Sequence, residues 1–364
     1  MASLDHSTNI PARRGLNLRK SRALRIASLV SSLTLLAFLS TSSRADITNV
    51  PANLSPPQKL RVALVLDRGG KNDNSFNSAA YAGAMRAKKE LGITMKYVES
   101  PDILAFETLN RALAKRNYDL IIAIGFGQSD AQRRVAPQFP KIHFAIIDGR
   151  VDGPNVKSIL FQEHEGSYLV GAIAAMKSKT HKIGFIGGMD IPLIRRFERG
   201  YIAGARSIDS KVQVVNQYIG MTAEAWNNPA KAKEMALSQY HQNADIVFVA
   251  AGASGTGVFD AADETHNFAI GVDSNQNWMK PGHILTSMVK KVDVAVYDVI
   301  REELNHAFKP GLQIFGLNNN GIDYSVDQYN QNLLDKTDLE KIESIKNDII
   351  AGRIEVPDYY KMKK

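Results

Sequence analysis

The chain has 364 residues, 44% of them hydrophobic and 23% charged, a composition that supports folded domains and excludes a disordered chain. It has no cysteine, so disulfides, thiolate catalysis, Cys-ligated zinc and iron–sulfur clusters are excluded. The formal charge is +8, from 45 Lys+Arg and 37 Asp+Glu. Seven of the bases (Arg13, Arg14, Arg19, Lys20, Arg22, Arg25, Arg44) and one acid (Asp5) fall within residues 1–45, which leaves 38 against 36, or +2, for the rest. That balance is too small for general polyanion binding, and nucleic acid is not expected as a partner.

Residues 26–40 form an uncharged apolar run behind the basic stretch, and Ser43-Arg44-Ala45 puts small residues before Asp46. Basic region, short apolar region and small-residue exit read as a secretory signal over 1–45. The apolar run falls short of the roughly 20 residues a membrane span needs. Arg13-Arg14 allows a twin-arginine route, but the following Gly-Leu-Asn fits that motif poorly and general export is preferred. No cysteine follows the apolar run, so no lipid anchor is expected. The mature chain is expected to be free in a periplasm.

Residues 46–58, with Pro51, Pro56 and Pro57, read as an extended leader. Strand-length apolar runs then recur at Arg61–Leu66, Met95–Val98, Leu120–Ile124, His143–Ile147, Ile183–Ile186, Val212–Val215, Ile246–Ala250 and Phe268–Val272. Helical spacing fills most of the gaps. From Ser75 to Leu91, residues Phe76, Ala79, Ala80, Ala84, Ala87 and Leu91 share one face at period 3.6, with Ser75 placed to cap the helix. Continuous apolar strands alternating with helices imply parallel sheets covered on both faces. The alternation restarts: Lys59–Gly149 gives one set of βα units and Lys182–Asp273 another, bridged by a Gly/Ala-rich helix at Gly166–Met176. Two α/β lobes are expected, with a ligand between them at the carboxyl ends of their strands.

Several enzymatic signatures fail. No Gly-x-x-x-x-Gly-Lys-Ser/Thr occurs, and Gly125-Phe126-Gly127-Gln128-Ser129-Asp130 has Asp where a dinucleotide fingerprint needs its third Gly. Gly252–Gly257 misses the Gly-x-Ser-x-Gly elbow by one position. The eight histidines are scattered without metal spacing. Neither a catalytic set, a cofactor nor a metal is expected, which favours binding over catalysis. The strand ends carry the polar residues instead: Asp67 to Asn77, Gly125 to Asp130, Gly187 to Pro192 followed by Phe197, Gly252 to Gly257, and Asp273 to Gln276. Glycines there let backbone approach a ligand. Asp130 could be a dipole-stabilised surface acid or a ligand acceptor.

With these blocks the chain resembles the basic membrane protein (BMP/PnrA-like) family, nucleoside-binding substrate-binding proteins of ABC importers. The resemblance runs from about Leu60 to Tyr360. It rests on Asp73-Asn-Ser-Phe-Asn77, Gly125-Phe126 with Asp130, Phe144-Ala-Ile-Ile-Asp148 and Glu165-Gly-Ser-Tyr-Leu-Val-Gly171. Further blocks are Ile183-Gly-Phe-Ile-Gly-Gly-Met189 with Phe197 and Gly200, Gly255-Thr-Gly-Val-Phe259, Gly271-Val-Asp-Ser-Asn-Gln276 and Thr286-Ser-Met-Val-Lys290. Asn275 stands where relatives often have Asp, and Asn227-Asn228 replaces their Asn-Asp before Pro229.

The resemblance implies a type I periplasmic-binding-protein fold: α/β, with two doubly wound parallel-sheet lobes joined by a hinge. The N-terminal lobe is expected over 46–168 plus about 289–312, and the C-terminal lobe over 169–288 plus about 313–364. It further implies a purine base held between Phe76 and Phe197 and met at its edge by Asp130. Asp273, Lys290, the Gly255–Gly257 backbone and the Asp73/Asn74 turn would hold ribose hydroxyls. The expected ligand-facing set is Asp73, Asn74, Phe76, Phe126, Asp130, Phe197, Gly255, Gly257, Asp273 and Lys290. The expected partners are a purine nucleoside and an ABC permease, and the chain is expected to be a soluble monomer. Rival readings are a receptor for a simple sugar or another heterocycle, an exported nucleoside hydrolase, and a DNA-binding regulator of the same architecture. The regulator would need a basic recognition helix that the +2 balance disfavours.

Overall fold

The structure, a computed structural model, describes residues 59–100 and 102–362. The expected signal segment and leader lie outside the described residues. In the first lobe the chain runs β1 (Arg61–Leu66), α1 (Phe76–Leu91), β2 (Thr94–Glu99), α2 (Ala105–Lys115), β3 (Leu120–Ile124), α3 (Ser129–Val135), β4 (His143–Ile147) and β5 (Val156–Phe161). It then crosses to the second lobe as α4 (Glu163–Lys177), β6 (Lys182–Met189), α5 (Pro192–Ile208) and β7 (Gln213–Gly220). There follow α6 (Pro229–His241), β8 (Ile246–Ala250), α7 (Gly255–Thr265), β9 (Phe268–Asp273) and β10 (Ile284–Lys290). The chain returns for α8 (Val292–Leu304) and β11 (Gly311–Phe315), then closes with β12 (Ile322–Tyr324) and α9 (Lys336–Ile350).

Both sheets have six strands in equivalent order, β2-β1-β3-β4-β5-β11 and β7-β6-β8-β9-β10-β12. Neighbours are parallel except the β10–β12 pair at one edge. The apolar runs explain this arrangement. Val62–Leu66, Leu120–Ile124 and Ile246–Val249 are fully buried, and a strand apolar on both sides needs cover on both faces. In the first lobe α2 and α3 supply one cover through Phe106, Leu113 and Val135, while α1 and α8 pack together on the other through Ala80, Ala84, Val296 and Ile300. In the second lobe α6 and α7 cover one face with Tyr240, Val258 and Phe259, and α4 and α5 cover the other with Leu169, Ile173 and Tyr201.

Helices α4 and α5 lie close because of glycine. A Cβ on Gly200 would stand 2.2 Å from the His164 carbonyl oxygen, and one on Gly204 would stand 1.9 Å from that of Tyr168. This contact fixes the height of α5 over its sheet, and α5 carries Phe197. At the head of α1, Ser75 does not cap the helix through its hydroxyl as the sequence suggests. The carboxylate of Asp73 takes that role, accepting from the amides of Ser75, Asn77 and Ser78 at 2.8–2.9 Å, while the Ser75 hydroxyl bonds elsewhere. Among the described residues no helix is long and apolar enough to cross a membrane.

Candidate ligand-binding site

In each sheet the strand order reverses beside the first strand of the lobe, between β1 and β3 and between β6 and β8. Loops leaving such a switch point part to opposite faces and open a crevice at the strands' carboxyl ends. The two crevices face one another across a cavity lined from both lobes. The first lobe contributes Asp67 after β1, Gly125 and Phe126 after β3, and Phe76 from α1. Opposite them are Phe197 from α5, Trp226 before α6, and Ala250 to Gly252 after β8. Phe126 and Trp226 meet edge to face across the opening, ring centroids 6.5 Å apart.

Lys290, last residue of β10, is the buried centre of the site, with 1% of its side chain exposed. Its Nζ donates to Asp148 of the first lobe and lies 3.2 Å from Glu163 Oε1 at the start of α4. It also lies 5.2, 5.0 and 5.6 Å from the ring centroids of Phe76, Phe161 and Phe197. Three aromatic rings therefore address one point, two of them, Phe76 and Phe197, in the cavity lining. Burial works against the ammonium charge, but Asp148, Glu163 and Asp273 outweigh it and hold the pKa above the ordinary lysine value. Glu163 also accepts from Arg196, whose Nε donates to Asp358 Oδ1 at 2.8 Å. Nη2 of Arg196 donates to His164 Nδ1 at 2.9 Å. Burial, then the neighbouring Arg196 charge, lowers His164 to about 4 and keeps it a neutral acceptor.

Besides Asp73, three carboxylates line the cavity, Asp67, Asp148 and Asp273. Asp148 and Asp273 end β4 and β9 in the left-handed backbone region, at φ 61° and 63°, a conformation uncommon for non-glycine residues and concentrated at functional sites. Oδ1 of Asp148 is buried without a hydrogen-bond partner. Burial pushes Asp148 up from the ordinary carboxylate range, against the pull of Lys290. Burial also raises Asp273 against the same pull, and its Oδ2 accepts from Ser75 Oγ at 2.7 Å. Asp67 is pushed up to about 6 by burial, against the hydrogen bond from the Arg68 amide and with the charge of Asp73 adding to the rise. A Cβ at position 125 would stand 2.4 Å from Asp67 Oδ2, and Gly125 sits at φ 101°, so glycine is required there twice over.

Of the residues expected from sequence, the structure brings Asp73, Phe76, Phe126, Phe197, Asp273 and Lys290 to the cavity lining. Asp73 is occupied there as the cap of α1. Asn74, at φ 52°, turns its carbonyl to Gln276 Nε2 at 2.9 Å, outside the lining. Asp130 lies outside the lining: it sits in the first turn of α3 with 70% of its side chain exposed, paired one turn on with Arg133, because that helix turns its inner face to the sheet through Ala131 and Gln132. Gly255 and Gly257 also lie outside the lining; Gly257 is a packing position whose Cβ would stand 1.9 Å from the Pro229 carbonyl oxygen. The same loop reaches the cavity earlier, through Ala250, Ala251 and Gly252.

The expected ligand-facing set omits Asp67, Asp148 and Trp226, although Asp67 opens one of the polar strand-end clusters. The first two end apolar strand runs, the same signal that points to Asp273. A lone tryptophan in a polar loop carries no comparable mark. Among the described residues no group of three or more His, Asp or Glu could hold a metal.

The model of the family described as ABC transporter substrate-binding protein PnrA-like matches residues 60–359. The chain belongs to this family. As a PnrA-like protein it is 35% identical over 321 residues to the ABC transporter nucleoside-binding protein BmpA of Lactococcus lactis, covering 82% of this chain and 89% of that one. It is 32% identical over 309 residues to basic membrane protein D of Borreliella burgdorferi, covering 81% and 87%. A solved ABC transporter solute-binding protein from Aeropyrum pernix superimposes with a TM-score of 0.75 at 29% identity, covering 81% of this chain and 93% of that one. The PnrA-like chain is thus an ABC transporter substrate-binding protein with the type I fold, and the family points to a place outside the cytoplasm.

Proposed function

We propose that this PnrA-like protein closes its lobes on a purine nucleoside in the periplasm, after removal of the N-terminal signal segment, and delivers it to an ABC permease. The observation that carries the reading is the convergence of Phe76 and Phe197 on Lys290, with Asp67, Asp148 and Asp273 around the same cavity. Each flat aromatic contact adds about 0.5–1.5 kcal/mol beyond the area it buries. The carboxylates are acceptors, so the fitting ligand brings donors: base N–H groups and vicinal hydroxyls. An ammonium has three N–H donors, and Asp148 and Glu163 face Lys290, which leaves a donor for a ligand oxygen.

On this reading Asp67, in the cavity lining, accepts from the base edge, and Asp273 with Asp148 from the sugar. The likeness to the nucleoside-binding protein BmpA of Lactococcus lactis supports the nucleoside class. Ligand selection follows from buried acceptors that a wrong ligand leaves unpaired. Equilibrium dialysis of the refolded protein against inosine, guanosine, cytidine and ribose tests it. Submicromolar retention of the purine nucleosides is expected; equal retention of ribose, or of none of the four, would overturn it.

A further inference from the structure

Beside the cavity the lobes touch directly. The loop that follows β9 in the second lobe reaches the head of α1 in the first. Ser274 Oγ donates to the Ser75 carbonyl at 2.9 Å, Gln276 Nε2 donates to the Asn74 carbonyl at 2.9 Å, and Ser75 Oγ donates to Asp273 Oδ2 at 2.7 Å. Neither Ser274 nor Gln276 belongs to the cavity lining.

Both sides are shaped for the contact. Gln276 is buried and doubly held, its Oε1 accepting from the Val272 amide at 2.8 Å and its own amide donating to Ser287 Oγ at 3.0 Å. Gly271 beneath it has no room for a side chain, since a Cβ would stand 2.7 Å from both Gln276 Oε1 and Ser287 Oγ. Across the cleft, Asn74 adopts the left-handed φ of 52° that turns its carbonyl outward. A fixed donor thus meets an acceptor presented by an uncommon backbone conformation, an arrangement that persists only where its surroundings hold it.

We infer that Ser274 and Gln276 are positioning residues of the binding site, latching the loop after β9 onto the start of α1 and holding the lobes closed over the cavity. The inference rests on the reading that a ligand is enclosed between the lobes. A ligand that needs the closed form binds with an apparent affinity reduced by the fraction of protein that is closed. The latch raises that fraction without touching ligand. Because Ser75 bonds to Asp273, which also faces the cavity, ligand capture and latching share one carboxylate.

The test compares wild type with Gln276→Glu and with Ser274→Ala, each stripped of ligand by unfolding and refolding. Gln276→Glu keeps the acceptor for the Val272 amide and sets a carboxylate oxygen against the Asn74 carbonyl. Ser274→Ala removes one hydroxyl from a half-buried side chain and guards against a folding failure in the first variant. Small-angle scattering of the unliganded proteins should give a larger radius of gyration for Gln276→Glu, returning to the wild-type value in saturating inosine. Inosine should dissociate about tenfold faster from Gln276→Glu and about threefold faster from Ser274→Ala, with the ranking of nucleosides unchanged. Unchanged radius and unchanged dissociation in both variants would overturn the latch. If wild type binds no inosine, the nucleoside reading fails, and the unliganded radius still decides the latch.

Discussion

Lys290 ends β10 of the second sheet and donates to Asp148, which follows β4 of the first sheet, so one buried ion pair joins the two lobes at the floor of the cleft. Removing one partner of such a pair costs far more than the pair contributes, because it strands the other charge away from water. Lys290→Met leaves Asp148 without its cation and Glu163 with Arg196 alone. It should destabilise the protein by about 3–5 kcal/mol and lower ligand affinity. Denaturant unfolding together with calorimetry checks both effects.

The two phenylalanines should separate binding from stability. Phe197 is buried at 3% exposure and packs into the main core near Phe248, whereas Phe76 is partly buried against that core. Phe197→Ala should cost about 3–5 kcal/mol of stability as well as affinity. Phe76→Ala should weaken nucleoside binding at least tenfold with a clearly smaller loss of stability. Thermal melts run beside ligand titrations measure the contrast.

Asp67 gives the unliganded protein a pH dependence of known sign. Its folded pKa of about 6 lies above the ordinary aspartate value of 3.8, so the native state binds the proton more tightly than the unfolded chain. The stability it contributes is therefore present at low pH and lost as pH rises through about 6. Asp67→Asn should flatten the stability profile between these two values and stabilise the empty protein above them by no more than about 3 kcal/mol. A ligand donor favours the ionised form, so affinity should fall as pH drops below 6 and binding there should release a proton. Titrations in buffers of different ionisation enthalpy detect that release, which Asp67→Asn should reduce.

Gly188 offers a probe of the aromatic rim. A Cβ there would stand 2.1 Å from Trp226 Cζ3, so Gly188→Ala must displace the indole from its place against Phe126. Ligand affinity should fall and the emission of Trp226 should shift, read in a Trp278→Phe background. Stability should change by less than about 3 kcal/mol, since the ring can move toward the opening.

Legibility in the sequence followed burial. Strands such as Arg61–Leu66 and Ile246–Ala250 are continuous apolar runs and stand out. Val156–Phe161 does not, because Lys157 and Ser158 interrupt it; there the sheet tolerates Lys157 through its bond to Glu302 of α8. The edge strand Gln213–Gly220 reads short because Asn216 and Gln217 break its pattern, and a strand covered on one side alone need not be apolar throughout. At the site, strand-end position marked Asp273, and the family resemblance marked Lys290, Phe76 and Phe197. Asp130 and Asp67 show the remaining gap: both follow inner strands of the first sheet, and only the direction in which the local backbone turns decides which carboxylate meets the cleft.

Calorimetric titration of refolded wild type and Phe76→Ala with inosine, guanosine, adenosine, cytidine and ribose tests the central claim most directly. Purine nucleosides should bind wild type with submicromolar affinity, cytidine and ribose far more weakly, and Phe76→Ala should lose at least tenfold for every purine. Ribose binding as tightly as inosine, or purine affinity untouched by Phe76→Ala, would contradict a nucleoside held between Phe76 and Phe197.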